Sequence, residues 1–409
     1  MTTLRIALRH YSDFENALQE QARLFAASRP GITVQLVSLG IHELYQTALT
    51  DGGLREGRYD LALLVTDWLA EGITSRSLED LQMWQDRLPI PDWPQGWPRS
   101  LVRPLIFDGK LSSLPWHDGP ECLVYRSDIF VDPKRREDFL AQFGRALEPP
   151  VTWQEFAETA QFLTEKESGL YGTVFAAFPD GHNTLYDFAL QLWSRGGEFL
   201  DARAAPQLNS PQAELALDFY RHVLRDVSAC HPKSPQLDST QSGDLFLAGE
   251  VAMMVNWFGF AARSDRDGSP LQGKVAIAPI PCDPGCSRVS LSVFWALAMG
   301  AGSRNKDLVW EFLRFVAASE RDLEMTRHGT VGTKLSTWRD PTLQARIPAY
   351  REIESISLGA RQLPSGPQMA SFAAIIDNVV TRAITTTDST ATILEEAQLA
   401  IEREGIKLT

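Results

Sequence analysis

The opening of the chain constrains its fold more tightly than any other stretch. Leu4, Ile6 and Leu8 alternate with polar residues, the period of a strand with one buried face. Ser12-x-x-Glu15 then has the spacing of a capping box. Phe14, Leu18, Ala22 and Phe25 fall on one helical face, and Pro30-Gly31 stops the helix. Ile32–Leu39 reads as a second strand. A strand, helix and strand this closely spaced form a βαβ unit, which demands parallel strands. Another helix is expected through Leu44–Leu49, and Tyr59–Val65 (YDLALLV) reads as a strand buried on both faces.

In open α/β sheets, ligands sit outside the carboxyl ends of the strands. His10 and Tyr11 follow the first strand, and Thr66-Asp67-Trp68 follows Tyr59–Val65. An Asp beside a Trp at such an end suits a sugar, the carboxylate taking hydroxyls and the indole covering a ring face. The alternative is that Asp67 caps a helix over Trp68–Ile73.

A second informative stretch is Leu114–Phe130, LPWHDGPECLVYRSDIF. Pro115 restricts Leu114 to extended backbone, and Gly119-Pro120 punctuates a loop before the apolar run Cys122–Tyr125. The expectation is a crossing between two lobes, with Trp116, His117 and Asp118 beside a ligand cleft. The alternative is a loop joining two core strands of one domain.

With 409 residues, two or three lobes are expected. No run of 18 apolar residues suggests a membrane span. The net charge of −13 argues against binding a nucleic-acid backbone. No basic-then-apolar leader precedes Leu4, as expected of a cytoplasmic protein or of one whose signal peptide has been removed. The four cysteines, Cys122, Cys230, Cys282 and Cys286, permit two disulfides or remain thiols.

Further along, Thr152 and Glu155 form another capping box. Helices are expected over Tyr186–Trp193, Ala213–Leu224, Asp244–Gly249, Lys306–Ala317, Met369–Ile384 and Thr390–Arg403. Strands are expected over Tyr171–Phe178, Val251–Val255 and Val275–Ile280, with turns at Pro341, Pro348, Pro364 and Pro367. Residues 84–104, rich in Trp and Pro, read as irregular surface chain. Gly268-x4-Gly273-Lys274 is not a phosphate loop, because Val275 replaces the metal-binding Ser or Thr and a strand follows. There is no G-x-S-x-G elbow, no G-x-G-x-x-G after the first strand, and no ligand spacing among the histidines. Asp67, Asp118 and Asp180 leave a glycosidase pair open.

Several segments, in order, resemble the extracellular solute-binding proteins of ABC importers, in particular the carbohydrate-binding group around maltose-binding protein. They include Arg29–Val34, Tyr59-Asp60-Leu61 leading to Asp67-Trp68, Leu114-Pro115-Trp116, and Val124–Phe130. Thr152–Phe156, Trp193 with Gly196-Gly197, Phe246–Met254, and the final helices around Gln368-Met369 and Glu396-Ala397 continue the series. Arg126-Ser127 stands where the family usually has Asn-Lys, and the Asp-Gly-Pro-Glu run of the crossover loop is not general in it, which points to an unusual ligand such as a substituted sugar or glycoside.

The resemblance implies an α/β, two-lobed periplasmic-binding-protein-like (type II) fold. Each lobe would be a mixed sheet flanked by helices, with hinge crossings closing on a ligand. Lobe 1 is expected over residues 1–116 and 295–330, and lobe 2 over 117–294 and 331–409. The implied function is an extracytoplasmic receptor that takes a carbohydrate into the interlobe cleft and delivers it to ABC permease subunits. It would be a monomer, periplasmic or on the cell surface, without catalysis, cofactor or metal. Ligand-binding positions carried over are His10, Tyr11, Asp67, Trp68, Trp116, His117, Asp118, Gly119, Asn183, Tyr186, Asn256, Trp257, Trp295 and Phe372. Alternatives are a glycoside hydrolase using cleft carboxylates and a same-fold receptor for a polyol or cationic solute.

Overall fold

The computed structural model describes residues 2–366 and 368–408, so the turn expected at Pro367 lies outside them. Its contacts divide the chain into two units, Met1–Gly119 with Ser292–Leu358, and Pro120–Leu291 with Gly359–Thr409. Nine strands build the two larger sheets among the described residues. They are β1 (Thr2–Arg9), β2 (Ile32–Leu39), β3 (Leu61–Val65), β4 (Leu114–His117), β5 (Glu121–Arg126), β6 (Tyr171–Val174), β7 (Val251–Trp257), β8 (Val275–Ala278) and β9 (Trp295–Met299).

Unit 1 has a five-stranded sheet in the order β2-β1-β3-β9-β4. As the opening pattern predicts, β1 runs parallel to β2 and to β3. The late strand β9 lies antiparallel between β3 and β4, pairing Trp295 with Val65 and with His117. The helix α1 (Ser12–Ala27) buries Phe14, Leu18, Ala22 and Phe25, the stripe its periodicity announced. Its capping box does not form. Tyr11 occupies the N-cap, and the Glu15 carboxylate is drawn instead to the Ser38 hydroxyl and the His10 ring. Asp60 ties this unit together: its carboxylate accepts from the Arg5 amide at 2.9 Å, the Ser303 hydroxyl at 2.5 Å and the Asn305 amide at 3.2 Å.

Residues 331–358, which the sequence reading grouped with the second lobe, pack in unit 1. The reason is hydrogen bonding. The Val331 amide donates to His117 Nδ1 at 3.0 Å, and the Asp118 amide donates to the Val331 carbonyl at 3.2 Å. Trp97 Nε1 donates to Thr333 Oγ1 at 3.1 Å. The buried Asp322 carboxylate accepts the Thr333 and Lys334 amides.

Unit 2 has a four-stranded sheet, β8-β5-β7-β6, in which β6 is parallel to β7 and the other neighbours are antiparallel. The Thr152–Glu155 capping box forms, starting the helix Trp153–Leu163. Residues 84–104 are less irregular than expected, with short helices at Gln82–Arg87 and Arg99–Val102. The strand expected over Tyr171–Phe178 ends at Val174. No helix among the described residues is long and apolar enough to cross a membrane.

Gly172 in β6 lies hard against the helix Trp153–Leu163: a Cβ there would sit 1.8 Å from the Ala160 carbonyl oxygen. Backbone cannot rotate aside as a side chain can. Gly172→Ala is expected to lower stability by about 2–3 kcal/mol, measured by urea denaturation with the m-value unchanged.

Candidate functional site

In unit 1, sheet topology gathers the candidates on one edge. β1, β3 and β4 are parallel and finish there, while antiparallel β9 begins there. His10 and Tyr11 leave β1, Asp67 and Trp68 leave β3, Trp116–Gly119 close β4, and Trp295 opens β9. Phe14, on the first turn of α1, sits at the centre of this edge. Its ring is 5.0 Å from Tyr11, 4.7 Å from His117, and 5.4 Å from both Trp116 and Trp295, always edge to face.

Asp67 and Trp68 lie in a 3-10 turn (Thr66–Trp68) whose N-cap is Val65, and neither this turn nor the following helix Leu69–Thr74 has a side-chain cap. The capping alternative for Asp67 therefore fails. Trp68 has its ring 6.2 Å from Trp295 and 5.3 Å from Tyr45. Tyr45 donates to the Glu71 carboxylate, and burial with that bond pushes its phenol up to about 12. The phenol thus stays protonated and a fixed donor. Arg9 lies 5.8 Å over the Trp295 ring.

Sequence reasoning missed Tyr45 and Glu71, which are 26 residues apart. One local signal attends Tyr45: the π-helical turn Gln46–Thr50 follows it directly, and such turns recur at functional sites.

The remaining unit 1 candidates divide. His10 is exposed and bonded to Glu15 and Ser38. Trp116 is only 2% exposed, and its indole donates to Gln21 at 2.9 Å, so it is a packing residue and not a stacking face. Desolvation drives the His117 imidazole down to about 3, keeping it neutral with Nδ1 accepting from Val331. Asp118 is 2% exposed, with Oδ1 unpaired among the described residues. Burial raises its carboxyl to about 7. Gly119 is buried beside it.

Unit 2 has its own cluster, where β7 ends and the loop after β6 enters the helix Asn183–Trp193. Half-buried Trp257 stands 5.8 Å from Tyr186, edge to face, and His182 stands 5.9 Å from Tyr186. Asp180 accepts from the His182 and Asn183 amides and the Asn183 side chain, closing this loop. Two candidates are corrected here. Asn256 spends its amide inside the unit, donating to the Ser239 carbonyl and Ser242 hydroxyl at 3.1 Å and accepting from the Trp257 amide at 2.7 Å. Phe372 is fully buried against Phe199, because the helix Met369–Thr385 turns that face into the core. Asn183 is likewise engaged, its side-chain oxygen accepting from the Ser239 amide at 3.1 Å.

No group of three or more His, Cys, Asp or Glu residues fit to hold a metal exists among the described residues. The edges offer indole and phenol rings, carboxylates and one guanidinium. Such an arrangement can hold a hydroxylated ring.

The family model described as bacterial extracellular solute-binding protein matches residues 11–321. A probable ABC transporter-binding protein of Deinococcus radiodurans is 24% identical over 346 residues, 83% of this chain and 78% of that protein. Maltose-bound MalE3 of T. maritima has a TM-score of 0.85 at 23% identity, covering 98% of this chain and 99% of that one. An ABC transporter solute binding protein of Agrobacterium radiobacter K84, in complex with ribitol, has a TM-score of 0.85 at 22% identity, covering 98% of both chains. The fold is that of the type II periplasmic binding proteins.

The paired neighbours His117 and Asp118 oppose each other in pH dependence. Asp118 holds its proton in the fold up to about 7, against 3.8 ordinarily, so its contribution to stability is complete below about pH 4 and lost as pH rises towards 7. His117, depressed from 6.5 to about 3, adds stability that is present above about 6.5 and lost as pH falls towards 3. Asp118→Asn removes the first slope alone. Between pH 4 and 7 its unfolding free energy should therefore rise relative to the parent protein by up to about 1.4 kcal/mol per pH unit, read from urea denaturation across that range.

Proposed function

The chain belongs to the bacterial extracellular solute-binding proteins, and on that premise we propose that it captures an uncharged, hydroxyl-rich solute and passes it unaltered to the permease subunits of an ABC importer. The solute is a sugar, a glycoside or a polyol. The observation that carries this reading is the unit 1 edge, where half-buried Tyr45, Asp67 and Glu71 stand beside the more deeply buried rings of Trp68 and Trp295, 7% and 9% exposed.

Indole faces cover the weakly apolar C–H faces of a sugar and exclude water. Carboxylates accept from hydroxyls, each bond contributing about 1.5–3 kcal/mol when the acceptor is charged. Selectivity exceeds affinity, because a ligand lacking a hydroxyl leaves a desolvated partner unmatched. Trp257 and Tyr186 give unit 2 a ring pair of the same chemical character. The maltose and ribitol complexes of similar proteins support a carbohydrate or polyol.

No bond is broken in this scheme, so it needs neither a catalytic residue nor a cofactor, and the receptor acts as a monomer. The hydrolase alternative is weakened: Asp118 is buried and Asp180 is committed to its own loop.

A thermal-shift screen over sugars, glycosides, polyols and amines tests the reading. A ligand at a hundredfold its Kd should add about 2.7 kcal/mol of stability, and one hydroxylated class should raise Tm by several degrees. A Tm unmoved across the panel, or moved by amines alone, would sink it. With the ligand found, Trp295→Phe should weaken binding about five- to tenfold, a loss near 1 kcal/mol, by isothermal titration calorimetry.

A further inference from the structure

All four cysteines are thiols in the structure, and they fall into two kinds. Cys122 and Cys230 are buried, and burial raises both thiols, that of Cys230 to about 12. They are also too far apart to join. Cys122 lies on β5, while Cys230 bridges to Thr173 of β6, with β7 between those strands. Three interstrand spacings amount to about 14 Å, against a Cα separation below about 7 Å for a disulfide. Cys230 instead packs its sulfur 3.2 Å from the Ser234 hydroxyl.

Cys282 and Cys286 are placed differently, although burial raises the Cys282 thiol as well. Both are half-buried, at the base of a loop whose tip, Pro284-Gly285, is exposed. The Cys286 amide donates to the Asp283 carbonyl at 3.0 Å, and Gly285 has φ +83°. With Pro284 before that glycine, Asp283–Cys286 has the form of a type II turn, in which the third position needs the left-handed freedom of glycine. The turn folds the two cysteines back together: Cys282 Sγ lies 3.5 Å from the Cys286 carbonyl oxygen. The loop is held from below as well. The Cys282 amide donates to the Val151 carbonyl at 3.1 Å and the Asp283 amide to the Ser194 carbonyl at 3.0 Å. The Asp283 carboxylate lies 3.7 Å from buried Arg195, whose guanidinium stacks on Trp153 and Phe219. Cys286 Sγ rests over Gly196, 3.6 Å from where a Cβ would stand.

Proteins of this family work outside the cytoplasm, where thiols meet oxidants. We propose that Cys282 and Cys286 are a dithiol site that an organic disulfide oxidises to an intramolecular disulfide closing the Asp283–Cys286 turn. The thiolate of one cysteine attacks a sulfur of the reagent, forming a mixed disulfide and expelling one thiol. The thiolate of the other then displaces the second thiol. The reagent gains two electrons and the two protons the cysteines lose, and the chain gains one S–S bond. Oxidation clamps the loop that presents Asp283 to Arg195. Reduction leaves that loop held by its hydrogen bonds and ion pair alone.

The test treats the full chain with oxidised glutathione or with a reductant, removes the reagent, labels it undenatured with N-ethylmaleimide and reads the sites by mass spectrometry. The reduced chain should label at Cys282 and Cys286, while Cys122 and Cys230 label only after denaturation. The oxidised chain should take no label when native, and its peptide spanning 282–286 should be lighter by two hydrogen atoms. Cys286→Ser, a near-isosteric change at a half-buried position, should leave Cys282 as a glutathione adduct. Equal labelling of both forms would overturn the proposal, as would a stable glutathione adduct on the unaltered chain or a bond to Cys122 or Cys230.

Discussion

Strand polarity is the constraint from which the unit 1 site follows. Parallel strands all release their chains at the same edge, and β1, β3 and β4 do so here. Helices and loops must start where the strands stop, so side chains from positions 9, 68, 117 and 295 gather without any local sequence relation. Phe14 then fixes their spacing. One ring in edge-to-face contact with four others sets the edge as a packed surface and not a set of loose loops. The affinity proposed for a hydroxylated ligand would depend on that rigidity, since ordering loose aromatic side chains on binding would consume much of what stacking contributes.

Periodicity made the fold legible. The α1 stripe, the fully buried run Leu61–Val65 and the Thr152–Glu155 box are local patterns, and each appears where the residues place it. What failed was whatever depended on a distant partner. Ser12-x-x-Glu15 has the spacing of a cap, yet Glu15 finds Ser38 across the unit and leaves its own helix start open. Trp116 reads as a stacking face until Gln21 claims its indole, and Asn256 reads as a ligand amide until Ser239 and Ser242 claim it. Tyr45 and Glu71 escaped notice for the same reason reversed: neither carries a motif, and their meeting is created by the fold. Residues 331–358 belong to unit 1 through partners far off in the chain, Val331 with His117 and Asp118, Thr333 with Trp97, and Ser357 with Ser100, which no local pattern announces.

Ionisable residues flank Gly119-Pro120 in the sequence, where the chain passes from one unit to the next. In unit 1 these are His117 and Asp118, held neutral by desolvation. In unit 2, Glu121 is raised by burial and by the nearby Asp187 carboxylate. Burial raises Asp187 in turn, while its carboxylate accepts from the Tyr220 hydroxyl at 2.5 Å. Apolar residues of equal size would cost less to bury there. The hydrogen bonds that the backbone makes at the same points, Asp118 to Val331 and Ser290 Oγ to the Glu121 carbonyl at 2.6 Å, keep each strand end in register with its own unit.

The late position of β9 has a kinetic consequence. A nascent chain of the first 120 residues already contains β1 to β4, but the strand that must lie between β3 and β4 is still some 175 residues away. Its two exposed edges would have to wait, unsatisfied, through the synthesis of residues 120–291. Such a polypeptide gains little from folding as it emerges. It is better suited to delivery across a membrane as an extended thread, with collapse postponed until nearly all of it has arrived.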